Sequence, residues 1–257
     1  MNVTGKQLIT VAVLAVLVAI GWAAKLVWYP AVDEKFFLLD YQRLERAPAH
    51  VLILRPTEFS SSRRSGGFAA PTRLKNGQYD NKQMRAVGRN TTLANVIGTA
   101  YQYSQWRVIV PPDAVTNRYD FLDTATSHPL EQFRALIKSK LGYTASVQSR
   151  NVPVLVLKAQ GSGPTPSTAD RENFNFNAGK LTITHISIQQ LANMTQDSLK
   201  QPVVDETGLT GFYDLTIPWR GGNLPDVQAA NNLLNPVGLA LLSDTRTLPM
   251  MVVEAAK

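Results

Sequence analysis

A chain of 257 residues, 44% of them hydrophobic, has enough apolar surface for one or two cores, which confines disorder to local segments. It has no cysteine, which excludes disulfides, thiolate metal sites and a cysteine nucleophile; its three histidines, His50, His128 and His185, are too widely spaced for a histidine-based zinc motif. The net charge of +7 is local, because ten Lys or Arg between Arg43 and Arg89 stand against only Glu45, Glu58 and Asp80, leaving the remainder close to neutral.

Residues 1–30 read as a membrane anchor. Leu8 to Ala24 carries no charge, and with Lys25 snorkelling the run to Tyr29 reaches the ~20 residues that cross a bilayer, so lipid contact is expected through residues 8–29. Trp28 and Tyr29 fall where an interfacial aromatic belt belongs. The competing reading is a cleaved signal peptide, with Leu8 to Ile20 as its apolar region and Gly21-Trp22-Ala23 as a weak cleavage site. A bare count of flanking Lys and Arg points the following part toward the cytoplasm, but a long domain translocates largely regardless of charge. The expectation is a single-pass inner-membrane protein with a periplasmic C-terminal part.

Residues 31–50 form a juxtamembrane segment whose Phe36, Phe37, Leu39 and Leu44 suit an amphipathic helix leaving the membrane. VLILRPT (51–57) reads as a buried strand. Residues 60–78, rich in Ser, Gly and basic residues, read as a loop in which Gly66-Gly67 is a flexible connection, as is Gly221-Gly222 further on. Arg63, Arg64, Arg73 and Lys75 in that loop are candidates for docking on a protein partner, with lipid headgroups suited to the part nearest the span. Nucleic acid is not expected, since no recognised module or aromatic platform accompanies the charge.

A second loop-like stretch, 159–173, separates two matching parts, 51–160 and 174–257. Thr92-Leu93 followed by Val96 corresponds to Ser187-Ile188 followed by Leu191, each a polar cap before helix-spaced apolar residues. Tyr119-Asp120 corresponds to Tyr213-Asp214, and Gly142, Arg150 and Pro153 stand one constant offset from Gly238, Arg246 and Pro249. Each part reads helix, short strand, turn, strand, helix and a two-strand hairpin, with the glycine as helix C′ residue and the proline opening a final strand. The expected fold class is α+β: a transmembrane helix followed by a duplicated helix and antiparallel-strand unit, forming a sheet with helices on one face. The NFNFNAG run (173–179) alternates as an exposed edge strand does.

QPVVDETGLTGFYDLTIPW (201–219) gathers acids, glycines and aromatics that suggest an active site, yet its local chemistry is that of a fold corner. Val203-Val204-Asp205 reads as a short strand, Gly208 and Gly211 as turn glycines, and Tyr213-Asp214 as part of the returning strand; Asp205 or Thr207 would bond turn amides. The first-half counterpart keeps Tyr-Asp but has Pro111-Pro112 where Asp205-Glu206 stands.

The same stretch resembles the C-terminal signature, approximately R-P-V-V-D-x-T-G-L-x-G-x-Y-D, of a domain-of-unknown-function family found in large paralogous numbers in acidobacterial-type soil bacteria. Pro202 to Asp205, Thr207, Gly208, Leu209, Gly211, Tyr213 and Asp214 match, while Gln201 replaces the usual Arg. NTTLANVIGTAY (90–101) and residues 131–157 resemble further elements of that family, although Ser146 and Gln148 stand near positions where it often has His and Glu. The resemblance covers about residues 50–255 and implies an exported or tethered α+β domain without implying a reaction.

Asp205, Glu206, Asp214 and Asp123 are the carboxylates that acid-base or divalent-metal chemistry would use, and turn capping accounts for them more simply. No G-x-S-x-G elbow accompanies His128 or His185, and neither glycine pair has phosphate-loop spacing. No catalytic residue, metal or cofactor is expected. The expected function is that of a non-enzymatic accessory subunit docked on an integral membrane protein complex, in the narrower version a photosynthetic or respiratory one. The alternative is a tethered periplasmic sensor or ligand- or peptide-binding module.

Overall fold

The structure, a computed structural model, describes residues 33–60, 65–74, 78–218 and 224–256. The anchor expected over residues 1–30 lies outside them; among the described residues no helix is long and apolar enough to cross a membrane.

In chain order, a 3-10 turn (Glu34–Phe37) and helix α1 (Tyr41–Glu45) precede strands β1 (Leu52–Pro56), β2 (Gly66–Arg73) and β3 (Tyr79–Thr92). Helix α2 (Leu93–Tyr101) leads through the short β4 (Val108–Ile109) to β5 (Arg118–Asp123), α3 (Pro129–Leu141) and β6 (Tyr143–Ala159). The second half continues with β7 (Thr165–Pro166), β8 (Asn173–Asn177), β9 (Lys180–Ser187) and α4 (Ile188–Leu199). Then come β10 (Val203–Asp205), β11 (Phe212–Pro218), α5 (Val227–Leu234) and β12 (Leu239–Ala255). The architecture is mixed helix and strand of the α+β kind, with three four-stranded sheets rather than one among the described residues. The chain divides into two compact units: residues up to Tyr101 with Thr116–Gly142, and Gln102–Val115 with Tyr143 onward.

The first unit is built on an antiparallel sheet in the order β1-β5-β3-β2. On one face Ile53, Val87 and Leu122 pack with Phe37, Leu44 and Val51, so the segment expected as a helix leaving the membrane instead covers the sheet. Asp33 and Asp40 each accept a backbone N–H two or three residues on (Lys35 at 2.9 Å, Arg43 at 3.2 Å), and these two caps start two short turns in place of one helix. The other face carries Phe121 against Phe133 of α3, ring centroids 5.0 Å apart.

Residues 66–73, expected as loop, are β2. Register sets Gly67 beside Gly88 and Gly88 beside Phe121. A Cβ on Gly88 would lie 2.0 Å from the Phe121 ring, and one on Gly67 would lie 2.8 Å from it. The two glycines form a trough for a fully buried aromatic ring, so their requirement is close approach and not flexibility.

Capping follows the residues. Thr92 Oγ1 accepts the Asn95 N–H at 3.1 Å at the start of α2, and Ser187 with Gln190 forms a capping box on α4. Gly142 ends α3 in the left-handed region at φ 70°, its N–H donating to Lys138 O at 3.1 Å.

The second unit has two sheets. In the first, ordered β10-β6-β12-β4, β6 and β12 pair antiparallel over their whole 17 residues, from Tyr143 opposite Ala255 to Ala159 opposite Leu239. The hairpin expected after each second helix therefore does not form: each segment is one continuous strand whose partner is the other. Pro153 lies opposite Thr245 and Pro249 opposite Ser149, four ladder positions apart. They share one phase of the alternation, so both missing donors can point away from the partner strand. The short strands are exchanged, β4 running parallel to β12 and β10 parallel to β6.

The second sheet, β7-β11-β9-β8, repeats with corresponding strands the order β1-β5-β3-β2 of the first unit. Its inner face (Leu181, Ile183, Leu215, Ile217) packs with Leu191 of α4, Leu234 of α5 and Leu155, Leu157, Leu239 and Leu241.

Candidate functional site

The signature corner carries the chain from one sheet of the second unit to the other: β10 lies beside β6, whereas β11 lies beside β9, so the two strands are not hairpin partners. Asp205 Oδ1 accepts the Thr207 N–H at 2.9 Å and the Thr207 hydroxyl at 2.7 Å, and Thr207 Oγ1 accepts the Leu209 N–H at 3.1 Å. This is a chain of Asx and hydroxyl turns. Gly208 (φ 69°) and Gly211 (φ 104°) take the left-handed conformations the turn needs. The Tyr213 ring is buried, and its hydroxyl donates back to Thr210 O at 2.9 Å, closing the corner.

Glu206 belongs to an ion network that the local sequence does not disclose. Its carboxylate accepts Lys158 Nζ at 2.7 Å and Arg246 Nε at 3.0 Å, and Arg246 also pairs with Asp244. The Arg246 and Lys158 donors hold the Glu206 carboxyl down at about 2. The Glu206 N–H donates to Leu157 O at 3.0 Å, so the corner is pinned to β6 by backbone and side chain together. Arg246 stands at the position matching Arg150, a correspondence legible in the sequence; Lys158 carried no local signal.

Asp214 Oδ1 accepts the backbone N–H of His185 at 3.0 Å, and Ser167 bonds its side chain; both hold its carboxyl below the usual range, Ser167 the more strongly. In the first unit Asp120, fully buried, accepts Thr57 Oγ1 at 2.7 Å, the Asn90 N–H at 2.8 Å and the Glu58 N–H at 2.9 Å. His185 and Asn90 are the corresponding residues of β9 and β3. Both have positive φ (57° and 45°), and both lie where the register with β11 or β5 shifts. The twice-occurring Tyr-Asp pair is thus a buried ring followed by the acceptor for an N–H that a β-bulge turns out of the ladder.

Asp123, also fully buried, accepts the Ala125 N–H at 3.0 Å through Oδ1, while Oδ2 has no hydrogen-bond partner among the described residues. Burial pushes its carboxyl up to about 7. His128 adopts φ 46° just before Pro129 of α3, and His185 stacks on Phe212 with ring centroids 3.9 Å apart. Of the basic docking candidates, Arg73 is exposed at the end of β2; Arg63, Arg64 and Lys75 lie outside the described residues.

Within the second unit a cleft of about 740 Å³ is lined by Gln160, Ser162, Thr165, Asp214, Thr216 and Asn235 among others. Gly238 closes one side: a Cβ there would lie 2.8 Å from the Gly163 backbone. The cleft offers hydroxyls, amides and one ionised carboxylate, a set suited to hydrogen bonding a polar or cationic ligand. No group of three or more His, Cys, Asp or Glu that could hold a metal ion occurs among the described residues.

A family model described as a protein of unknown function, DUF3738, matches residues 94–256. Comparison with curated proteins and with solved structures finds no match.

Proposed function

The chain belongs to the DUF3738 family, and we propose that it is a non-enzymatic, membrane-tethered subunit docking on a larger membrane protein complex. The observation that carries the reading is the use made of the repeated Tyr-Asp element: Asp120 and Asp214 each accept the N–H of a left-handed bulge residue, and Asp205 and Glu206 are likewise taken up by turn and ion-pair contacts. Of the acids a catalytic reading would enlist, Asp205, Glu206 and Asp214 thus hold the fold.

In this reading the apolar run through residues 8–29 anchors the chain in the inner membrane, and an internally duplicated α+β part stands on the periplasmic side. Matching strand orders and exchanged short strands support the duplication. The basic segment around Arg63, Arg64, Arg73 and Lys75 supplies the docking face, with a photosynthetic or respiratory complex as the narrower expectation. The test is to solubilise native membranes gently and isolate the protein through a C-terminal tag. A stoichiometric assembly containing integral membrane subunits is expected; recovery of the chain without other proteins overturns the reading.

The cleft at Asp214 favours one second reading, a tethered module that captures a polar ligand there. Its expected mark is a saturable rise in melting temperature on addition of a small polar or cationic compound, abolished by Asp214→Asn.

A further inference from the structure

Among the described residues, strand β8 is an edge of its sheet, paired on one side only, with β9. Its sequence, Asn173-Phe174-Asn175-Phe176-Asn177, is a palindrome without charge or proline, and its register with β9 runs without a bulge. Edge strands are ordinarily protected against pairing by Lys, Pro or bulges, and β8 has none of these. Phe174 and Phe176 share the face of their partners Ile183 and Leu181, the core face, yet remain 46% and 58% exposed. They extend an apolar surface past the last strand.

The hairpin geometry fixes which backbone groups are available. Ala178 (φ 49°) and Gly179 (φ 74°) form a two-residue loop with both residues left-handed, the type I′ arrangement, which makes Asn177 and Lys180 the first hydrogen-bonded pair. By alternation Asn175 and Asn173 also face β9, so Phe174 and Phe176 direct their N–H and C=O groups to the open edge.

We infer that β8 is the contact through which two copies of this chain associate, by antiparallel pairing about a two-fold axis at Asn175. In that register Phe174 of one copy lies opposite Phe176 of the other, and their outward N–H and C=O groups form hydrogen-bonded pairs. The two Asn175 residues meet as a non-hydrogen-bonded pair on the axis, the self-complementarity a two-fold interface requires. Charge agrees weakly with the direction: Asp170, Arg171 and Glu172 leave one net negative charge before β8 and Lys180 stands at its other end, so antiparallel pairing sets the acidic end of one copy beside the basic end of its partner. A five-residue edge buries less than the roughly 1,200 Å² of a standard interface, so the dimer is concentration-dependent and is favoured by confinement to a membrane surface. This contact is independent of the docking face above.

The chain's lack of cysteine makes the test specific. Non-hydrogen-bonded antiparallel pairs have Cα atoms about 4.5 Å apart, inside the disulfide range, whereas two Asn173 residues would stand on the order of 13 Å apart. Full-length Asn175→Cys, oxidised with diamide in its native membrane, is expected to crosslink about tenfold more than Asn173→Cys alone. Coexpressed Asn173→Cys and Asn177→Cys chains carrying different tags are expected to crosslink to each other. Adding Phe174→Lys to Asn175→Cys is expected to abolish the crosslink while the chain still unfolds in one cooperative transition, since Phe174 is half-exposed. Equal crosslinking of Asn175→Cys and Asn173→Cys, no crosslinking by Asn175→Cys, or a crosslink that survives Phe174→Lys overturns the inference.

Discussion

The carboxylate of Asp214 accepts the backbone N–H of His185 at 3.0 Å, across the point where the pairing of β9 with β11 slips out of register. A residue with positive φ inside a strand turns its N–H away from the ladder, and an unpaired buried N–H is costly. Asp120 and Asn90 solve the same problem in the first unit at 2.8 Å. The surroundings differ: Asp120 is sealed beneath Thr57 and Glu58, while Asp214 borders the cleft.

Asp120→Ala would leave Thr57 Oγ1 and the N–H groups of Glu58 and Asn90 without their acceptor, and the expected loss of stability is about 3–5 kcal/mol. Asp120→Asn should cost less, because an amide oxygen still accepts. Asp214→Ala should lower the denaturant midpoint by a smaller amount, since its carboxylate is partly solvated. Urea unfolding of the three variants checks the order; an Asp214→Ala protein as stable as the parent would count against the bulge-capping role.

Two carboxyls set opposite pH limbs. Asp123 has its folded value raised from 3.8 to about 7, so between those values the unfolded chain releases a proton that the folded chain keeps. Stability therefore falls as pH rises through that window, by on the order of 4 kcal/mol, and Asp123→Asn should flatten the fall and raise the melting temperature at pH 8. Glu206 is lowered from 4.5 to about 2, so its contribution is present above 4.5 and lost as pH falls toward 2. Glu206→Gln should remove that acid limb, and melting temperatures from pH 2 to pH 9 separate the two.

What the residues disclose before folding is their local chemistry. Caps at Thr92 and Ser187, the C′ glycine Gly142 and the Asp205-Thr207 turn are written within five residues of where they act, and each is found. Long-range partnership is not written this way. The middle of β6, with Gln148, Arg150 and Pro153, reads as a turn because it is exposed on both faces and lacks a burial period; only pairing with β12 makes it a strand. The Glu206 network escapes for the same reason, its cations lying far away in sequence. Gly66-Gly67 misleads in another way, since a glycine demanded by the Phe121 ring and a glycine of a flexible loop look alike.

Three glycines separate these uses. Gly88→Ala would set a Cβ 2.0 Å from a ring that is itself fully buried against Phe133, so overpacking of about 3 kcal/mol or more is expected. Gly238→Ala combines φ 73° with a Cβ 2.8 Å from the Gly163 backbone, and should likewise be severe and alter the cleft wall. Gly142→Ala meets nothing within 4 Å and bears only the left-handed backbone, at about 1 kcal/mol. A Gly142→Ala variant as damaged as Gly238→Ala would show that conformation, not contact, governs Gly238.

The turn joining β8 to β9 carries an unfavourable residue that can be improved. Ala178 holds φ 49° at the first central position of a type I′ turn, where the Cβ of an ordinary L residue crowds the following carbonyl and costs roughly 1–2 kcal/mol. Asn tolerates that conformation, and Asn-Gly is the favoured pair for such a turn. Ala178→Asn should therefore stabilise the hairpin by about 0.5–1 kcal/mol relative to the parent, less than the full strain because Asn retains part of it. The gain should appear as a higher denaturant midpoint and slower amide exchange in Lys180–Ser187. Ala178→Val, β-branched and poorly suited to positive φ, should move both in the opposite direction. If Asn and Val shift the midpoint equally, the turn is not of this type, and the assignment of outward N–H groups to Phe174 and Phe176 falls with it.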